Sequence, residues 1–211
     1  MENKQALDFF QKMANTTQEE KSVKLGANSN FTNFDAEFIL KHVGEDATLL
    51  DLGSGTGLII NKIYNSLNHV VALEPFEGFT KFIVKNDNIE VVHNDILTYN
   101  PKKQFDLITL FGLMHYFNEA EAIKVYEKYH LFLSPKGKMI IKNQFGLYED
   151  VCVEGYSEEQ KCNYYAHYRY IENEKKILKG VGFGNIGVFD IYPPECNRWD
   201  NTHFYAIVAE K

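Results

Sequence analysis

The 211-residue sequence is 45% hydrophobic and 14% aromatic, which provides enough apolar surface for a substantial core and argues against intrinsic disorder. Its formal charge of −7 would repel a nucleic-acid backbone. No segment approaches the roughly 20 apolar residues of a membrane helix, and none resembles a secretory signal, so we expect a cytoplasmic protein without nucleic-acid or membrane partners. The three cysteines form no C-x-x-C pair and are interpreted as incidental thiols rather than metal ligands.

Two helices are predicted near the N-terminus, over residues 4–15 and 34–43, because apolar residues recur there at helical spacing. Either Thr32 or Asn33 is expected to cap the second helix. The polar stretch between the two helices contains Lys24 and is predicted to be a loop.

From residue 48 onward, short apolar runs alternate with amphipathic segments. The apolar runs predict five buried strands, at Thr48–Leu52, Val70–Leu73, Ile89–Val92, Asp106–Phe111 and Lys138–Lys142. The segments between them predict helices at 57–68, 76–86 and 119–133. This succession is typical of an α/β fold in which a parallel sheet is built by right-handed crossovers.

The alternation breaks off after the fifth strand. Residues 145–170 contain six of the thirteen tyrosines and show no clear period. A helix is predicted over 171–181, followed by strands at Ile186–Ile191 and His203–Ala209. The last two strands have no helix between them and could pair antiparallel at one edge of the sheet. With no linker or repeat, we interpret residues 1–211 as one domain.

A glycine-rich turn follows the first predicted strand directly, in the run Leu49-Leu50-Asp51-Leu52-Gly53-Ser54-Gly55-Thr56-Gly57. A side chain at Gly53 or Gly55 would occupy space that a bound nucleotide needs, so glycine there lets the backbone approach a ligand closely. Many such turns only reverse the chain. The turn alone is therefore weak evidence for nucleotide binding.

Two later strand ends strengthen this evidence. Glu74 follows the second strand, seventeen residues after Gly57, and a carboxylate there can accept hydrogen bonds from both hydroxyls of a ribose. Asn94-Asp95-Ile96 follows the third strand, where Asp95 could accept from an adenine amino group. Three neighbouring strand ends are therefore expected to converge on one adenosine.

Together with Phe105–Leu110, these segments resemble the ordered motifs of class I S-adenosylmethionine (SAM)-dependent methyltransferases, over about residues 48–142 by motif. The resemblance implies a Rossmann-like, seven-stranded, mostly parallel sheet with an antiparallel C-terminal strand and helices on both faces. It also implies SAM as cofactor and S-adenosylhomocysteine as product. The residues expected to bind the cofactor are Asp51, Gly53, Ser54, Gly55, Gly57, Glu74, Pro75, Asn94, Asp95, Ile96 and Phe111. Pro135-Lys136-Gly137-Lys138 matches a turn that precedes the fifth strand in this family.

The main alternative is a nicotinamide-dependent oxidoreductase. Its fingerprint requires G-x-G-x-x-G, and Leu58 occupies the position of the third glycine. A nucleotide-binding module without catalysis is a further alternative that the sequence leaves open.

Methyl transfer is an in-line displacement at the sulfonium carbon, so alignment of the acceptor is the protein's main task. An acceptor hydroxyl would also benefit from a positioned base. His115 lies after the fourth strand, where the family faces the methyl group, and is the candidate base; Tyr116 or Phe111 would line the sulfonium. Alternatively, His115 hydrogen-bonds a backbone carbonyl and the aromatic residues belong to the core.

Residues 145–170 occupy the place where this family often inserts a cap over the acceptor, and residues 1–45 would form an N-terminal helical lid. Within the cap, Arg169 could anchor a carboxylate or phosphate, or else pair with Glu172 or Glu174. The candidate catalytic residues are His115, Tyr116 and His167. The candidate substrate-binding residues are Tyr165, Tyr168, Arg169 and Arg198, and Lys24 could reach the methionine carboxylate of SAM.

The predicted activity is methyl transfer to an oxygen, rather than a nitrogen, of a small polar metabolite such as a sugar or a surface-carbohydrate intermediate. This acceptor would require an enclosed aromatic pocket. A protein or RNA acceptor would instead require a flat basic surface. A non-catalytic SAM-binding protein would bind the cofactor without turnover.

Overall fold

A computed structural model describes residues 3–20, 31–44, 46–157, 162–192 and 200–211. Its strands are β1 (Thr48–Leu52), β2 (His69–Leu73), β3 (Ile89–Val92), β4 (Phe105–Phe111), β5 (Leu133–Gly146), β6 (Val151–Ser157), β7 (Cys162–Tyr168), β8 (Asn185–Asp190) and β9 (Thr202–Glu210). Its helices are α1 (Asn3–Thr16), α2 (Thr32–Leu40), α3 (Ile60–Ile63), α4 (Glu77–Thr80), α5 (Glu119–Leu131) and α6 (Ile171–Val181). None of the helices in these ranges is long and apolar enough to cross a membrane.

Seven strands form one sheet in the order β3-β2-β1-β4-β5-β9-β8. The pairs among β1 to β5 are parallel, whereas β9 runs antiparallel to both β5 and β8. This confirms the Rossmann-like mixed sheet and the antiparallel pairing of the last two strands. Because the parallel strands share one direction, their carboxyl ends meet at one edge of the sheet, where ligands bind in such folds.

Different helices cover the two faces of the sheet. One face packs against α2 and α3 through a core cluster that includes Ile39, Ile60 and Ile140. The opposite face packs against α5 and α6 through a cluster that includes Ile141 and Leu178. Consecutive residues of β5 thus face opposite sides of the sheet, as strand geometry requires.

Two helices are shorter than the sequence pattern predicts. The 57–68 pattern forms α3 and a 3-10 turn at Tyr64–Ser66, and the 76–86 pattern forms only α4. The Asn61 side chain donates to the Phe82 carbonyl at 2.9 Å and accepts from the Val84 N–H at 2.9 Å. These bonds replace backbone bonds with which α4 would continue.

The predicted cap of α2 is wrong. Phe31 occupies the position before the helix, and it makes no side-chain capping bond. Thr32 already lies inside the helix, and its side chain is buried. Asn33 is the second helical residue, so neither candidate can act as the N-terminal cap.

β5 is much longer than the predicted Lys138–Lys142 segment. The predicted turn at Pro135–Lys138 lies inside the strand, where the pairing with β4 shifts register and Lys136 has φ 64°. At its other end the strand continues through Lys142, Asn143 and Gln144, all of which are buried. The irregularity is therefore a bulge that the strand passes through.

Residues 145–170 contain two strands that the sequence pattern did not predict. β6 and β7 form a separate two-stranded antiparallel sheet in which Val151 pairs with Tyr168 and Cys152 with His167. Cys152 is an exposed, free thiol. Ala166 and Tyr168 are buried while His167 between them is partly exposed, so β7 has one inner and one outer face.

Candidate functional site

The glycine loop turns away from the carboxyl end of β1 in the left-handed region of φ. Gly53, Gly55 and Gly57 have φ values of 77°, 54° and 78°, which side chains other than glycine rarely adopt. A Cβ atom at Gly57 would lie 2.6 Å from the Cγ1 atom of Ile83. The backbone N–H of Gly53 donates to the Leu73 carbonyl at 2.9 Å, which ties the loop to the end of β2.

Glu74 holds the glycine loop directly. Its Oε2 atom accepts from the Gly55 N–H at 3.0 Å, and its Oε1 atom accepts from the Phe76 N–H at 3.3 Å. The side chain is buried, and desolvation raises the pKa of Glu74 to about 7 against the effect of these two bonds. The acid and the loop predicted to hold one ribose therefore lie side by side.

Asp51 supports the loop from beneath. Its Oδ1 atom accepts from the Thr109 hydroxyl of β4 at 2.6 Å, and the Ser54 hydroxyl donates to its backbone carbonyl at 3.0 Å. Burial raises the pKa of Asp51, while the hydrogen bonds from Thr109 and Ser54 oppose that shift. Asp51 thus fixes the loop to two adjacent strands.

The turn after β3 is held by its own side chains. The Asp95 carboxylate accepts from the Leu97 N–H at 2.7 Å, and the Asn94 side chain accepts from the Asp95 N–H at 2.8 Å. From α5, the Tyr129 hydroxyl donates to the Ile96 carbonyl at 2.8 Å. These bonds hold the turn predicted to face adenine in one conformation.

These strand ends border one cleft of about 750 Å³, part of which is open to solvent. The predicted cofactor residues that line the cleft are Gly53, Gly55, Glu74, Pro75, Asn94, Asp95, Ile96 and Phe111. The other three, Asp51, Ser54 and Gly57, are not part of its lining.

Helix α1 borders the same cleft, although no individual residue in it was predicted to do so. Leu7 and Phe10 line the cleft, and α1 packs closely on α4, where a Cβ atom at Gly78 would lie 2.3 Å from the Ala14 carbonyl oxygen. Leu7, Phe10 and Ala14 recur at helical spacing, which is the signal that could have identified this face.

Three of the predicted acceptor-side residues come together beside the cleft. Tyr116 lines it, and its ring centroid lies 4.0 Å from that of His115 and 5.2 Å from that of Phe10. The Tyr168 ring of β7 lies 5.7 Å from His115. His115 Nδ1 lies 3.1 Å from the side-chain amide of Asn143 on β5, a partner that was not predicted.

His167 and Tyr165 lie elsewhere. Alternation along β7 places both on the face opposite to Tyr168. His167 Nε2 lies 2.8 Å from the Asp150 carboxylate, which also accepts from the Tyr170 N–H at 2.7 Å. Although burial opposes it, these hydrogen bonds lower the pKa of Asp150. The structure therefore does not bring His167 or Tyr165 together with His115.

The structure contradicts the prediction that Arg169 anchors an anionic substrate. Arg169 is 2% exposed, and its guanidinium pairs with Glu174 and donates to the Phe117 carbonyl at 2.9 Å. Glu174 also accepts from the Tyr126 hydroxyl, and desolvation and Glu174 raise the pKa of Tyr126 well above its usual value. The alternative, a pair with Glu174, is what is found. Arg198 and Lys24 lie outside the described residues.

A second buried polar cluster was not predicted. Lys142 Nζ donates to Asp35 of α2 at 3.2 Å and to the Tyr192 hydroxyl at 2.7 Å, and Tyr192 donates to Asp35 at 2.5 Å. The ammonium lies 5.2 Å from the ring centroid of Phe111, which lines the cleft. The sequence signal for this cluster is the polar run at 142–144. It directly follows an apolar strand, and buried polar side chains in such a position need polar partners.

The fold and the cleft define a nucleotide-binding α/β protein in which glycine backbone, a buried carboxylate and an acidic turn fit adenosine and its ribose. Residues 49–137 match a family profile described as a methyltransferase domain. Three similar solved structures are a SAM-dependent methyltransferase from Leishmania major, DhpI in a DhpI-SAM-HEP complex, and 1,6-didemethyltoxoflavin-N1-methyltransferase from Burkholderia thailandensis with bound 1,6-didemethyltoxoflavin and S-adenosylhomocysteine.

Their sequence identities to this chain are 18%, 14% and 15%, and their TM-scores are 0.73, 0.72 and 0.69, in the same order. The alignments cover 99%, 99% and 87% of this chain and 82%, 97% and 79% of the other chains. None of the curated proteins matches the sequence significantly. Residues 49–137 thus match a methyltransferase domain, and the chain has the fold of class I SAM-dependent methyltransferases, as the sequence motifs indicated.

Proposed function

We propose that this enzyme methylates an oxygen of a small polar metabolite, of which a sugar or a surface-carbohydrate intermediate is one example, and that His115, Tyr116 and Tyr168 border the acceptor site. The observation that carries the proposal is the burial of all three side chains, which are 7%, 8% and 3% exposed. An enclosed aromatic wall suits a small acceptor. A folded protein or an RNA would instead need an open surface beside the methyl group.

Bound SAM would supply a methyl group already activated by its positive sulfonium sulfur. Glu74 would accept hydrogen bonds from the ribose hydroxyls, and the turn at Asn94–Ile96 would hold the adenine. Tyr116 and Phe111 present aromatic rings to the cleft, and such rings attract a cation. The enzyme's own contribution is then to orient the acceptor and exclude water, which can be worth about 7–11 kcal/mol of the barrier.

The names of two structurally similar enzymes support this class of acceptor. The Burkholderia thailandensis enzyme is a 1,6-didemethyltoxoflavin-N1-methyltransferase, and MtfA is a glycopeptide N-methyltransferase. MtfA is 13% identical to this chain, with a TM-score of 0.68, and the alignment covers 91% of this chain and 99% of MtfA. Both names specify a nitrogen acceptor, whereas an oxygen acceptor is proposed for this chain.

Incubation with methyl-labelled SAM and a cell extract separated by size tests the proposal. We expect label in metabolites that pass a small-pore filter, and oxygen attachment in the labelled product by mass spectrometry. The Glu74→Ala variant, which lacks the ribose-binding carboxylate, should give no label. Incorporation into the retained protein or RNA fraction would overturn the proposal, and SAM binding without any incorporation would favour a non-catalytic role.

A further inference from the structure

The turn at 112–117, between β4 and α5, forms part of the cleft wall and is held at both ends. Its residues that line the cleft are Gly112, Leu113, Tyr116 and Phe117. At the first end, the Gly112 N–H donates to the Lys142 carbonyl of β5 at 2.6 Å. The last residue, Phe117, directly follows Tyr116, so its position determines where the Tyr116 ring meets the cleft.

The Phe117 carbonyl lies outside the hydrogen-bond ladder of α5. The cap of that helix is Asn118, whose carbonyl accepts from the Ala122 N–H at 2.9 Å, and Phe117 precedes the cap. Its partner is instead Arg169, which donates from Nη1 at 2.9 Å. Because Phe117 is 1% exposed, loss of this bond would leave a buried carbonyl unpaired.

Arg169 is itself fixed by groups from two other elements. Its Nε and Nη2 atoms both donate to the Glu174 carboxylate of α6. Its backbone carbonyl accepts from the Gly146 N–H at the end of β5 at 3.0 Å. A Cβ atom at Gly146 would lie 1.9 Å from the Glu149 carbonyl oxygen, so the chain packs tightly at this point. Arg169 therefore joins the base of the β6–β7 hairpin to the turn at 112–117.

Stability alone does not explain why an arginine is buried here. Arg169 and Glu174 are 2% and 0% exposed, and apolar residues of similar volume are often as stabilising as such a buried pair. A guanidinium offers what an apolar side chain cannot. Its rigid fork directs one donor at the Phe117 carbonyl while the carboxylate holds two others.

We propose that Arg169 is a positioning residue for methyl transfer, which fixes the turn at 112–117 through the Phe117 carbonyl. This rests on the proposed function, in which Tyr116 borders the acceptor site. Arg169 does not line the cleft, so it acts only through this backbone contact. A misplacement of about 1 Å at a reacting geometry can cost about a hundredfold in rate. Loss of the bond should therefore lower turnover even where the fold persists.

Two variants remove the bond while limiting the loss of stability. Arg169→Lys keeps a cation for Glu174, but one ammonium cannot occupy the positions of both Nε and Nη1. The double variant Arg169→Met with Glu174→Gln removes both charges. Tyr126→Phe is the matched control, because it removes a hydroxyl that donates to Glu174 and keeps the bond to Phe117.

Turnover of the labelled small-molecule fraction separates positioning from stability. Urea denaturation first ranks the variants by stability. We expect turnover to fall by about tenfold or more in both Arg169 variants and to stay at the wild-type level in Tyr126→Phe. Turnover that followed stability across the three variants would show a merely structural role and overturn the proposal.

The Phe117 carbonyl can also be observed by itself. Phe117-Asn118 is the only Phe-Asn pair in the sequence, so carbonyl-¹³C phenylalanine and ¹⁵N asparagine give one correlation across that peptide bond. The ¹³C signal should move upfield in both Arg169 variants and stay in place in Tyr126→Phe. An unmoved signal in the Arg169 variants would overturn the proposal. No acceptor is needed, so label found in protein or RNA would refute the proposed function without affecting this measurement.

Discussion

The pH dependence of SAM binding tests the role of Glu74 most directly. Burial raises the pKa of this carboxyl to about 7, whereas only the ionised form accepts hydrogen bonds on both oxygens and so suits two ribose hydroxyls. Below pH 7, binding must first remove a proton, and the affinity should fall about tenfold for each further pH unit. Between pH 8 and pH 5.5 the dissociation constant for SAM should rise about thirtyfold, equivalent to about 2 kcal/mol.

Glu74→Gln keeps the shape of the side chain but does not titrate. At pH 8 it should weaken SAM binding by about 2–4 kcal/mol, because charge-assisted bonds become neutral ones, and its affinity should vary little with pH. Isothermal titration calorimetry measures both constants, and buffers of different ionisation enthalpy reveal the proton released by the wild type. A flat profile in the wild type, or the same slope in the variant, would refute this role of Glu74.

The same carboxyl lowers the free energy of unfolding as the pH rises, whereas it is expected to strengthen SAM binding over the same range. Its pKa is raised from 4.5 to about 7 by folding, so its unfavourable contribution is absent below pH 4.5 and fully present above pH 7. Relative to wild type, Glu74→Gln should gain about 2–3 kcal/mol of unfolding free energy between pH 5 and pH 8 without ligand. Urea denaturation at the two pH values measures this difference. A variant that gains stability but loses affinity would show that the buried charge serves the cofactor.

Two further substitutions test the buried ion pairs. Arg169→Met should destabilise the fold by about 3–5 kcal/mol in urea denaturation, because Glu174 would remain charged and 0% exposed. The double variant with Glu174→Gln should recover part of the lost stability. No recovery would contradict the argument that the unpaired charge causes the loss. Asp35→Asn would leave the Lys142 charge uncompensated near the cleft. It should therefore weaken the binding of cationic SAM by about 1–2 kcal/mol more than the binding of neutral S-adenosylhomocysteine. Competition binding measures this difference. The double variant with Lys142→Met should abolish this difference.

The convergence of three strand ends on one cleft could be predicted because its signals are local in sequence. The glycine loop, Glu74 and Asp95 each follow a strand directly, and parallel strands bring their carboxyl ends to one edge whatever the rest of the chain does. The parallel pairing of β1 to β5 follows equally from the alternation of apolar and amphipathic segments. The length of α4 could not be predicted, because it depends on bonds from Asn61 to residues more than twenty positions away.

The acceptor side was predicted less well because its partners are distant in sequence. Lys142 and Asp35 are 107 positions apart, and His115 and Asn143 are 28 apart. Arg169 stood among tyrosines and polar residues, which suggested a ligand-binding role, yet its partner Glu174 lies only five positions further on. A charged residue beside an amphipathic helix has two possible partners, a ligand or that helix, and composition alone does not distinguish them.

The carboxyl end of β5 links the two sides of the site. Alternation along this strand sends Lys142 to the α2 face and Asn143 to the opposite face, where His115 lies. Burying polar groups on both faces of a central strand costs free energy that apolar residues would not cost. The buried polar groups position neighbouring residues, because Lys142 packs against Phe111 and Asn143 hydrogen-bonds the backbone of His115. One strand therefore contacts both the last residue of β4 and His115 in the turn that follows, which places the proposed acceptor-binding residues relative to the cleft.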